Sequence, residues 1–426
     1  FGSSVGWLKL WRPLKNVSRS AHHLAPFGAG SMRRGLRLLA LTAFSFSWCS
    51  GDSGQCELTP DKACKLKVGI VGGGTSLFTI VHNISIHLGG TRRIAAGATH
   101  AKPEKALETA KRAGITGYKS WKDMLDAWRK GDQDLDYVAI LSRTRDHYEP
   151  TKAFLEAGIP VFCEKPMTMS VVQAEEIHKA AASKNTPFLV GHWYTGHPML
   201  MLARELVQQG LIGEVRKIES WFNQDWAVEN PSYSWRFDPA FSGMAGAAAD
   251  VGMHSYSTAT WVSGRTIKRV SARLKSFTPG RVLDETANVV AELDNGGIAV
   301  ILASTISVGF KNEHGLRIFG SKGSLEWTLG SSRVLMVRHP QNGMRVYSLD
   351  ANRSDFPPGV ASYPLDTTLA NLHTTMERAI RKKRGEKTPE PYGHPGATEG
   401  LAAMRFLQAA VESSKGGGAW TDVRAA

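Results

Sequence analysis

The sequence predicts two folded domains: an α/β domain with a doubly wound parallel sheet at 65–188, and an α+β domain with a largely antiparallel open sheet at 189–426. Between 65 and 188, short β-rich runs alternate with helical segments, which is typical of a parallel sheet with helices on both faces. After 188, strand candidates follow one another with few helices between them. A length of 426 residues suits two such domains and a preceding segment.

The first 64 residues are predicted to be a targeting presequence and a linker. They hold eight basic and three acidic residues, and no acid precedes Asp52. An apolar run at 38–48 has the length of a signal-peptide core and is too short to span a bilayer. We therefore expect a signal-like segment at 32–51 with Met32 as its initiator. The sequence is compatible both with secretion and with import into an organelle.

Composition excludes several classes of function. Hydrophobic residues make up 42% and charged residues 21%, as in globular proteins. The net charge is +14, and +5 of it lies in the first 64 residues, so the remainder favours a phosphate-bearing cofactor or an anionic substrate over nucleic acid. Four cysteines give no disulfide framework, no metal-ligand spacing is present, and no second long apolar run predicts a membrane span in the mature chain.

The first strand, at 66–71, runs into a glycine-rich turn and then a helix that extends through Leu88. Glycines allow close approach of a pyrophosphate, and a helix N-terminus offers free N–H groups, so this order predicts a dinucleotide site. The third fingerprint glycine is replaced by Leu77, and a plain tight turn is the alternative interpretation. The candidate cofactor-binding residues here are Gly69, Gly72, Gly73, Gly74, Thr75 and Ser76.

The second strand, at 93–98, ends at Thr99 and His100. A site for NAD usually places an acid there to hold the ribose 2′-hydroxyl, and none is present. Thr99 and His100, with Lys102 nearby, favour the 2′-phosphate of NADP over NAD, although Lys102 could instead be an ordinary solvated lysine.

The alternation continues with helices predicted at 103–114, 121–130, 149–157 and 170–184, and strands at 137–141 and 160–163. Ligands bind beyond the carboxyl ends of such strands. The further cofactor-binding candidates follow two of these strands and are Ser142, Arg143, His147, Glu164 and Lys165.

The second domain is predicted from its strand candidates. These are predicted at 215–222, 268–275, 287–293, 298–304, 314–320 and 323–328. The residues at 294–297, Asp-Asn-Gly-Gly, form a hairpin turn signal. Two last helices, at 367–382 and 397–414, are expected to pack back on the body.

Three motifs together resemble the Gfo/Idh/MocA oxidoreductases, named for glucose-fructose oxidoreductase and inositol dehydrogenase. They are VGIVGGG at 68–74, AGIPVFCEKP at 157–166 and DVGMH at 250–254. The resemblance implies a Rossmann domain that binds NAD or NADP, and a second domain whose open sheet often serves homo-oligomerisation. It also implies hydride transfer at a sugar or polyol carbon, with Lys165, Asp250 and His254 at the catalytic positions.

The chemistry of these residues agrees with that role. Oxidation of a hydroxyl-bearing carbon needs a base for the hydroxyl proton, and imidazole titrates near neutral pH, so His254 suits the task. Asp250 is spaced i, i+4 from His254, so on one helix face its carboxylate is expected to orient the ring. Lys165 can stabilise the developing alkoxide. A surface pair or a cap is the alternative interpretation of the Asp-x-x-x-His spacing.

The predicted substrate contacts are His192, Tyr194 and Arg236, in a stretch rich in aromatic residues that suits stacking on a sugar ring. Core packing is the alternative for some of them. The sequence thus predicts an NAD(P)-dependent oxidoreductase acting on CH–OH groups of a small sugar or polyol, and a non-catalytic dinucleotide-binding regulator or redox sensor is the rival.

Overall fold

The structure is a computed structural model that describes residues 65–424, except 75, 230–233, 350–363 and 391–392. The predicted presequence and the candidate Thr75 lie outside the described residues.

A six-stranded parallel sheet forms the first domain, as predicted. Its strand order is β3-β2-β1-β4-β5-β6, the doubly wound order in which the crevice lies beside β1 and β4. The strands are β1 (Leu66–Val71), β2 (Arg92–Ala98), β3 (Thr116–Gly117), β4 (Tyr137–Ile140), β5 (Val161–Glu164) and β6 (Phe188–Gly191).

Five helices cover the two faces of this sheet. They are α1 (Leu77–His87), α2 (Pro103–Arg112), α3 (Trp121–Lys130), α4 (Tyr148–Ala157) and α5 (Val171–Ser183). Serine hydroxyls cap three of them, because Ser76, Ser120 and Ser170 each accept a backbone N–H of the first turn. Local capping therefore begins these helices close to where the sequence predicts them.

A nine-stranded, mostly antiparallel sheet forms the core of the second domain, as predicted. Its order is β14-β13-β12-β11-β7-β10-β9-β8-β15, and the β7–β10 pair is parallel. The strands are β7 (Val215–Asn223), β8 (Ile267–Lys275), β9 (Thr286–Leu293), β10 (Ile298–Ser304), β11 (Glu313–Gly320), β12 (Ser324–Thr328), β13 (Val334–His339), β14 (Gly343–Ser348) and β15 (Thr421–Asp422). The sequence did not predict β13, β14 or β15. Almost every β14 side chain is exposed, so that strand has no alternating pattern.

The helices after the first sheet are α6 (Pro198–Gln208), α7 (Trp226–Glu229), α8 (Pro239–Ser242), α9 (Met253–Ser263), α10 (Pro364–Lys383) and α11 (Ala397–Lys415). A π-helical turn, Ala248–Gly252, leads into α9. Almost all of α9 is buried, so the helix that carries His254 is held on every side.

The last two helices pack back on the body, as expected, and α10 covers the parallel sheet. Leu369, Leu372 and Met376 of α10 share a hydrophobic cluster with Val68 of β1 and Tyr137 of β4. The C-terminal part of the chain therefore reaches the first domain's core. Within the described residues, no helix has the length and apolarity needed to cross a membrane.

Candidate active site

A cavity of about 1210 Å³ lies at the carboxyl ends of the parallel strands and extends to the second sheet. Its position agrees with the crevice rule for such sheets. The first sheet and its loops contribute the glycine turn, the residues after β2 and β4, and the end of β5. The second domain contributes β7, the segment at 234–236 and the turn before α9.

The glycine turn forms one end of the cavity. Gly72, Gly73, Gly74 and Ser76 line it. Gly72 has φ +78°, and a Cβ there would lie 2.6 Å from the backbone Cα of Ser142, so this position requires glycine. Gly69 does not line the cavity. It packs inside β1, where a Cβ would meet three core side chains at 3.2–3.3 Å.

The residues after β2 make the adjoining wall basic. Thr99, His100 and Lys102 all line the cavity, and no carboxylate occurs among residues 99–102. The backbone N–H of Lys102 donates to Nδ1 of His100 at 2.9 Å. Thr99 is buried, and its hydroxyl donates to the Ala106 carbonyl at 3.3 Å, so it mainly fixes the start of α2.

The loop after β4 adds Ser142, Arg143, Arg145 and His147 to the cavity wall. The His147 ring is buried and bridges two carbonyls, with Nδ1 2.8 Å from Pro166 O and Nε2 3.0 Å from Ser142 O. The ring thus packs between the ends of β4 and β5, and in its neutral form it donates to one of these two carbonyls. Burial lowers the pKa of His147 below its usual value.

Two cations of the same loop reach the second domain. The guanidinium groups of Arg143 and Arg145 lie 4.9 and 4.0 Å from the ring centre of Phe241 in α8. Arg145 is also paired with Asp146 at 3.3 Å. These contacts link the two domains across the cavity.

Lys165 and Asp250 meet inside the cavity. Lys165 Nζ lies 3.1 Å from Asp250 Oδ1 and also donates to the Asp250 carbonyl. Arg236 Nε is 3.6 Å from the other carboxylate oxygen. Burial opposes ionisation of Asp250, but the two cations outweigh it and lower the pKa of this carboxyl. The site therefore holds an ionised carboxylate between two cations.

His254 is the neighbouring base. Its ring is 8% exposed and packs 5.2 Å from Tyr194 and 5.8 Å from Phe222, measured between ring centres. Burial, and then the ammonium of Lys165, lower the pKa of His254 well below its usual value. The imidazole is therefore neutral at physiological pH, which is the form that a general base requires.

Asp250 does not pair with His254 in the expected way. Its carboxylate is bound by Lys165 and Arg236, and Nδ1 of His254 has no hydrogen-bond partner among the described residues. The reason is local, because the turn at Ala248–Gly252 is π-helical and i, i+4 spacing no longer stacks two side chains as in an α-helix.

Asp284, which was not among the predicted site residues, holds this turn. Its two carboxylate oxygens accept the backbone N–H groups of Gly246 at 2.6 Å and Ala248 at 2.8 Å. These bonds cap the helical stretch that carries Asp250 from outside the helix. A single aspartate just before a strand carries no sequence signal for such a contact.

Two of the three predicted substrate contacts line the cavity. Tyr194 and Arg236 do so, whereas His192 is 1% exposed and is not among the lining residues. Burial lowers the pKa of His192 to about 4. Other residues on the second-domain side of the cavity were not predicted as substrate contacts. They include Phe222, Gln224, Trp226, Trp235 and Asn312. Aromatic side chains and a few polar groups therefore line the cavity together with Lys165, Asp250 and His254.

Glu164 lines the cavity beside Lys165. Its carboxylate accepts the indole N–H of Trp193 at 2.5 Å and Nε2–H of His82 at 2.8 Å. Burial opposes ionisation, but the bonds from His82 and Trp193 and the charge of Lys165 lower the pKa of Glu164. Within the described residues, no group of three His, Cys, Asp or Glu side chains could hold a metal ion.

Comparison with known proteins identifies the two halves. A family described as "Oxidoreductase family, NAD-binding Rossmann fold" matches residues 66–192, and the "GFO/IDH/MocA C-terminal domain" matches 200–326. The "Uncharacterized oxidoreductase YfiI" of Bacillus subtilis is 26% identical over 385 residues, which are 84% of this chain and 97% of that protein.

Two solved structures share the whole fold. An oxidoreductase from Sinorhizobium meliloti is 30% identical with a TM-score of 0.75, over 84% of this chain and 99% of that one. An inositol dehydrogenase homolog from Azotobacter vinelandii, complexed with NADH and myo-inositol, has a TM-score of 0.74 at 23% identity, over 84% of this chain and 98% of that one. At that identity, the second likeness shows the fold alone.

The end of the cavity formed by the glycine turn fits a dinucleotide. Cβ atoms at Gly72 and Gly73 would clash with Ser142 and with Thr79 Oγ1, the latter at 2.2 Å, so the turn has no side chains there, and it opens directly into α1. The geometry and the matched families agree from the first strand through β12. The chain belongs to the Gfo/Idh/MocA family of NAD-binding oxidoreductases.

Proposed function

We propose that this enzyme transfers a hydride between a nicotinamide dinucleotide and a hydroxyl-bearing carbon of a sugar, polyol or related small molecule. One observation carries the proposal: the neutral His254 and the Lys165–Asp250 ion pair lie in the same cavity as the glycine turn. A base, a cation for the substrate oxygen and a dinucleotide cradle are what this reaction requires.

The roles follow from the geometry. When bound, the nicotinamide supplies or accepts the hydride. His254 takes the hydroxyl proton as the carbonyl forms, and it is neutral and ready to do so. Lys165 donates a hydrogen bond to the substrate oxygen and stabilises its developing negative charge. Asp250 holds the ammonium in place and is itself held by Arg236.

The substrate compartment suits a sugar or a polyol. Tyr194, Trp226 and Trp235 offer aromatic faces to a ring, and Gln224 and Asn312 offer amide groups to hydroxyls. The two amides are hydrogen-bonded to each other at 2.8 Å, which fixes their orientation.

The proposal can be tested with a panel of aldoses and polyols. Each is incubated with NAD or NADP, and absorbance of the reduced cofactor measures turnover. We expect turnover with at least one member of the panel. Tight dinucleotide binding without turnover across the panel would favour the regulator or redox sensor instead.

We propose further that NADP is preferred over NAD. The support is the wall after β2, where His100 and Lys102 line the cavity and no acid follows the strand. Arg143, which also lines the cavity, adds a second cation beside Lys102. Lys102→Ala should weaken NADP binding about tenfold and leave NAD binding unchanged, because one charge-assisted hydrogen bond to the 2′-phosphate is lost. Dissociation constants from calorimetry measure this.

Lys105→Ala is the matched control, since Lys105 is an exposed lysine of α2 that does not line the cavity. It should leave both dissociation constants unchanged. Equal losses for NAD and NADP in Lys102→Ala, or a clear preference of the native protein for NAD, would contradict the assignment.

Assembly is a further part of the proposal. Val290, Ile298 and Phe319 are partly exposed on one face of the nine-stranded sheet, on strands β9, β10 and β11. We propose that this face joins copies of the chain in a homo-oligomer, and a monomer in sedimentation experiments would exclude it.

The first 64 residues are proposed to direct the protein to its compartment. The support is the basic composition and the apolar run at 38–48. Sequencing of the native N-terminus tests this, because a native protein that keeps the residues upstream of Asp52 would exclude cleavage.

A further inference from the structure

Four hydrogen-bonded side chains run from the cavity into the core of the parallel sheet. Glu164, at the end of β5, lies 2.8 Å from Nε2 of His82 in α1. His82 Nδ1 is 3.1 Å from Nε2 of His373 in α10. His373 Nδ1 is 3.0 Å from the hydroxyl of Tyr137 in β4. Residues that are up to 291 positions apart in sequence thus form one continuous chain.

This hydrogen-bonded chain of four side chains has a definite donor-to-acceptor direction when both histidines are neutral. An ionised carboxylate only accepts, so His82 donates from Nε2 and its Nδ1 must accept. His373 must then donate from Nε2 and accept at Nδ1, where the Tyr137 hydroxyl donates. Every link has one donor and one acceptor. Burial lowers the pKa of His373 well below its usual value, which agrees with a neutral His373 ring.

The surroundings hold the rings in place. His82, His373 and Tyr137 are fully buried. The His373 ring is stacked on Phe162 with ring centres 4.7 Å apart, and the edge of His82 meets the same ring at 5.3 Å. Hydrogen bonds among desolvated groups are strong, and an unpaired polar group there is costly, so the chain strongly restricts its members.

We propose that His82 and His373 are positioning residues for Glu164: through them, helix α10 fixes the orientation of this carboxylate at the cofactor end of the cavity. A fixed carboxylate stabilises a nearby positive charge, so the cavity should favour the oxidised, cationic dinucleotide over the reduced one. This last consequence rests on the proposed function, whereas the hydrogen-bonded chain of side chains does not.

Helix α10 stays attached without His373. Arg92 and Glu377 form a buried ion pair at 2.5 Å, and the Thr91 hydroxyl donates to Glu377 at 2.7 Å. These contacts anchor α10 to the start of β2. A substitution at His373 can therefore interrupt the chain while the helix remains in place.

The tautomers can be measured in the dinucleotide-free protein by nitrogen-15 NMR of its histidine rings. We expect a proton on Nε2 of His82, donated to Glu164, and a proton on Nε2 of His373. A His82 ring without a proton on Nε2 would overturn the proposal, because it could not donate to Glu164. This measurement holds whether or not the enzyme acts on a polyol.

His373→Phe tests the effect on the site. It keeps the ring against Phe162 and removes both nitrogens, so we expect NAD+ to bind about tenfold more weakly, with a smaller loss for NADH. His373→Gln, whose amide can donate to His82, should restore most of the NAD+ affinity. Calorimetry with NAD+ and NADH gives both constants, and thermal unfolding gives the stability.

Thr375→Val is the matched control on α10. Thr375 is buried, and its hydroxyl donates to the Asn371 carbonyl within the helix, outside the chain. It should leave both affinities unchanged. Native affinities in His373→Phe, or equal losses in the Phe and Gln variants, would overturn the positioning role. Absence of dinucleotide binding in the native protein would instead contradict the proposed function and leave the NMR result in force.

Discussion

Replacement of Lys165 by methionine is expected to lower kcat by a factor of about 10² to 10³, the usual effect of losing one donor to a developing oxyanion. The Lys165 side chain is only 11% exposed, and its ammonium is held by Asp250 inside the cavity. Methionine keeps most of the length and volume of the side chain and removes the charge. Steady-state rates with any substrate found in the panel measure the loss.

The fold should survive this substitution, because Asp250 keeps Arg236 as a cationic partner. Lys119→Met is a suitable control, since Lys119 is an exposed lysine that does not line the cavity, and it should leave kcat unchanged. Thermal unfolding of both variants separates a chemical effect from a structural one. A Lys165→Met enzyme with kcat within about threefold of the native value would remove Lys165 from the mechanism.

Local patterns predicted the parts of the fold that depend on local interactions. The β1–turn–α1 unit is one example, because the positive φ of Gly72 and the cap at Ser76 are consequences of residues close together in sequence. The hairpin between β9 and β10 is another, since Gly296 adopts φ +80° as the turn residues imply. Such features need no knowledge of the rest of the molecule.

The missed parts of the site depend on contacts between distant residues. Asp284 reaches the turn before α9 from a position 36 to 38 residues away, and His82 meets His373 across 291 residues. Neither contact leaves a periodic or spaced pattern in the sequence. His192 shows the reverse error, because a polar residue after a strand end was read as a site residue although the fold buries it.

The π-helical turn at Ala248–Gly252 explains the remaining difference. An i, i+4 spacing was interpreted with α-helical geometry, which predicts a carboxylate–imidazole pair. In the wider turn, the Asp250 carboxylate pairs with Lys165 and Arg236 instead of His254. The His254 ring is therefore positioned by packing against aromatic rings. Lys165, Asp250 and His254 do line one cavity, while their mutual contacts depend on backbone geometry that spacing does not reveal.

Replacement of His254 by glutamine should lower kcat for alcohol oxidation at neutral pH by a factor of about 10² to 10⁴, the usual contribution of a general base. Glutamine retains a polar group of similar reach and cannot take the hydroxyl proton. Since packing places the ring, the variant should fold, and thermal unfolding verifies it. His87→Gln, at an exposed histidine at the end of α1, is the matched control and should keep the native rate.

The pH profile gives a second test of His254. The neutral imidazole is the active form for oxidation, and burial with the charge of Lys165 lowers the pKa of His254 well below its usual value. The native rate should therefore hold as the pH falls through the ordinary range of histidine and decline only at lower pH. In His254→Gln this acid decline should vanish, because the group that it titrates is gone. An unchanged acid decline in the variant would mean that a different group removes the proton.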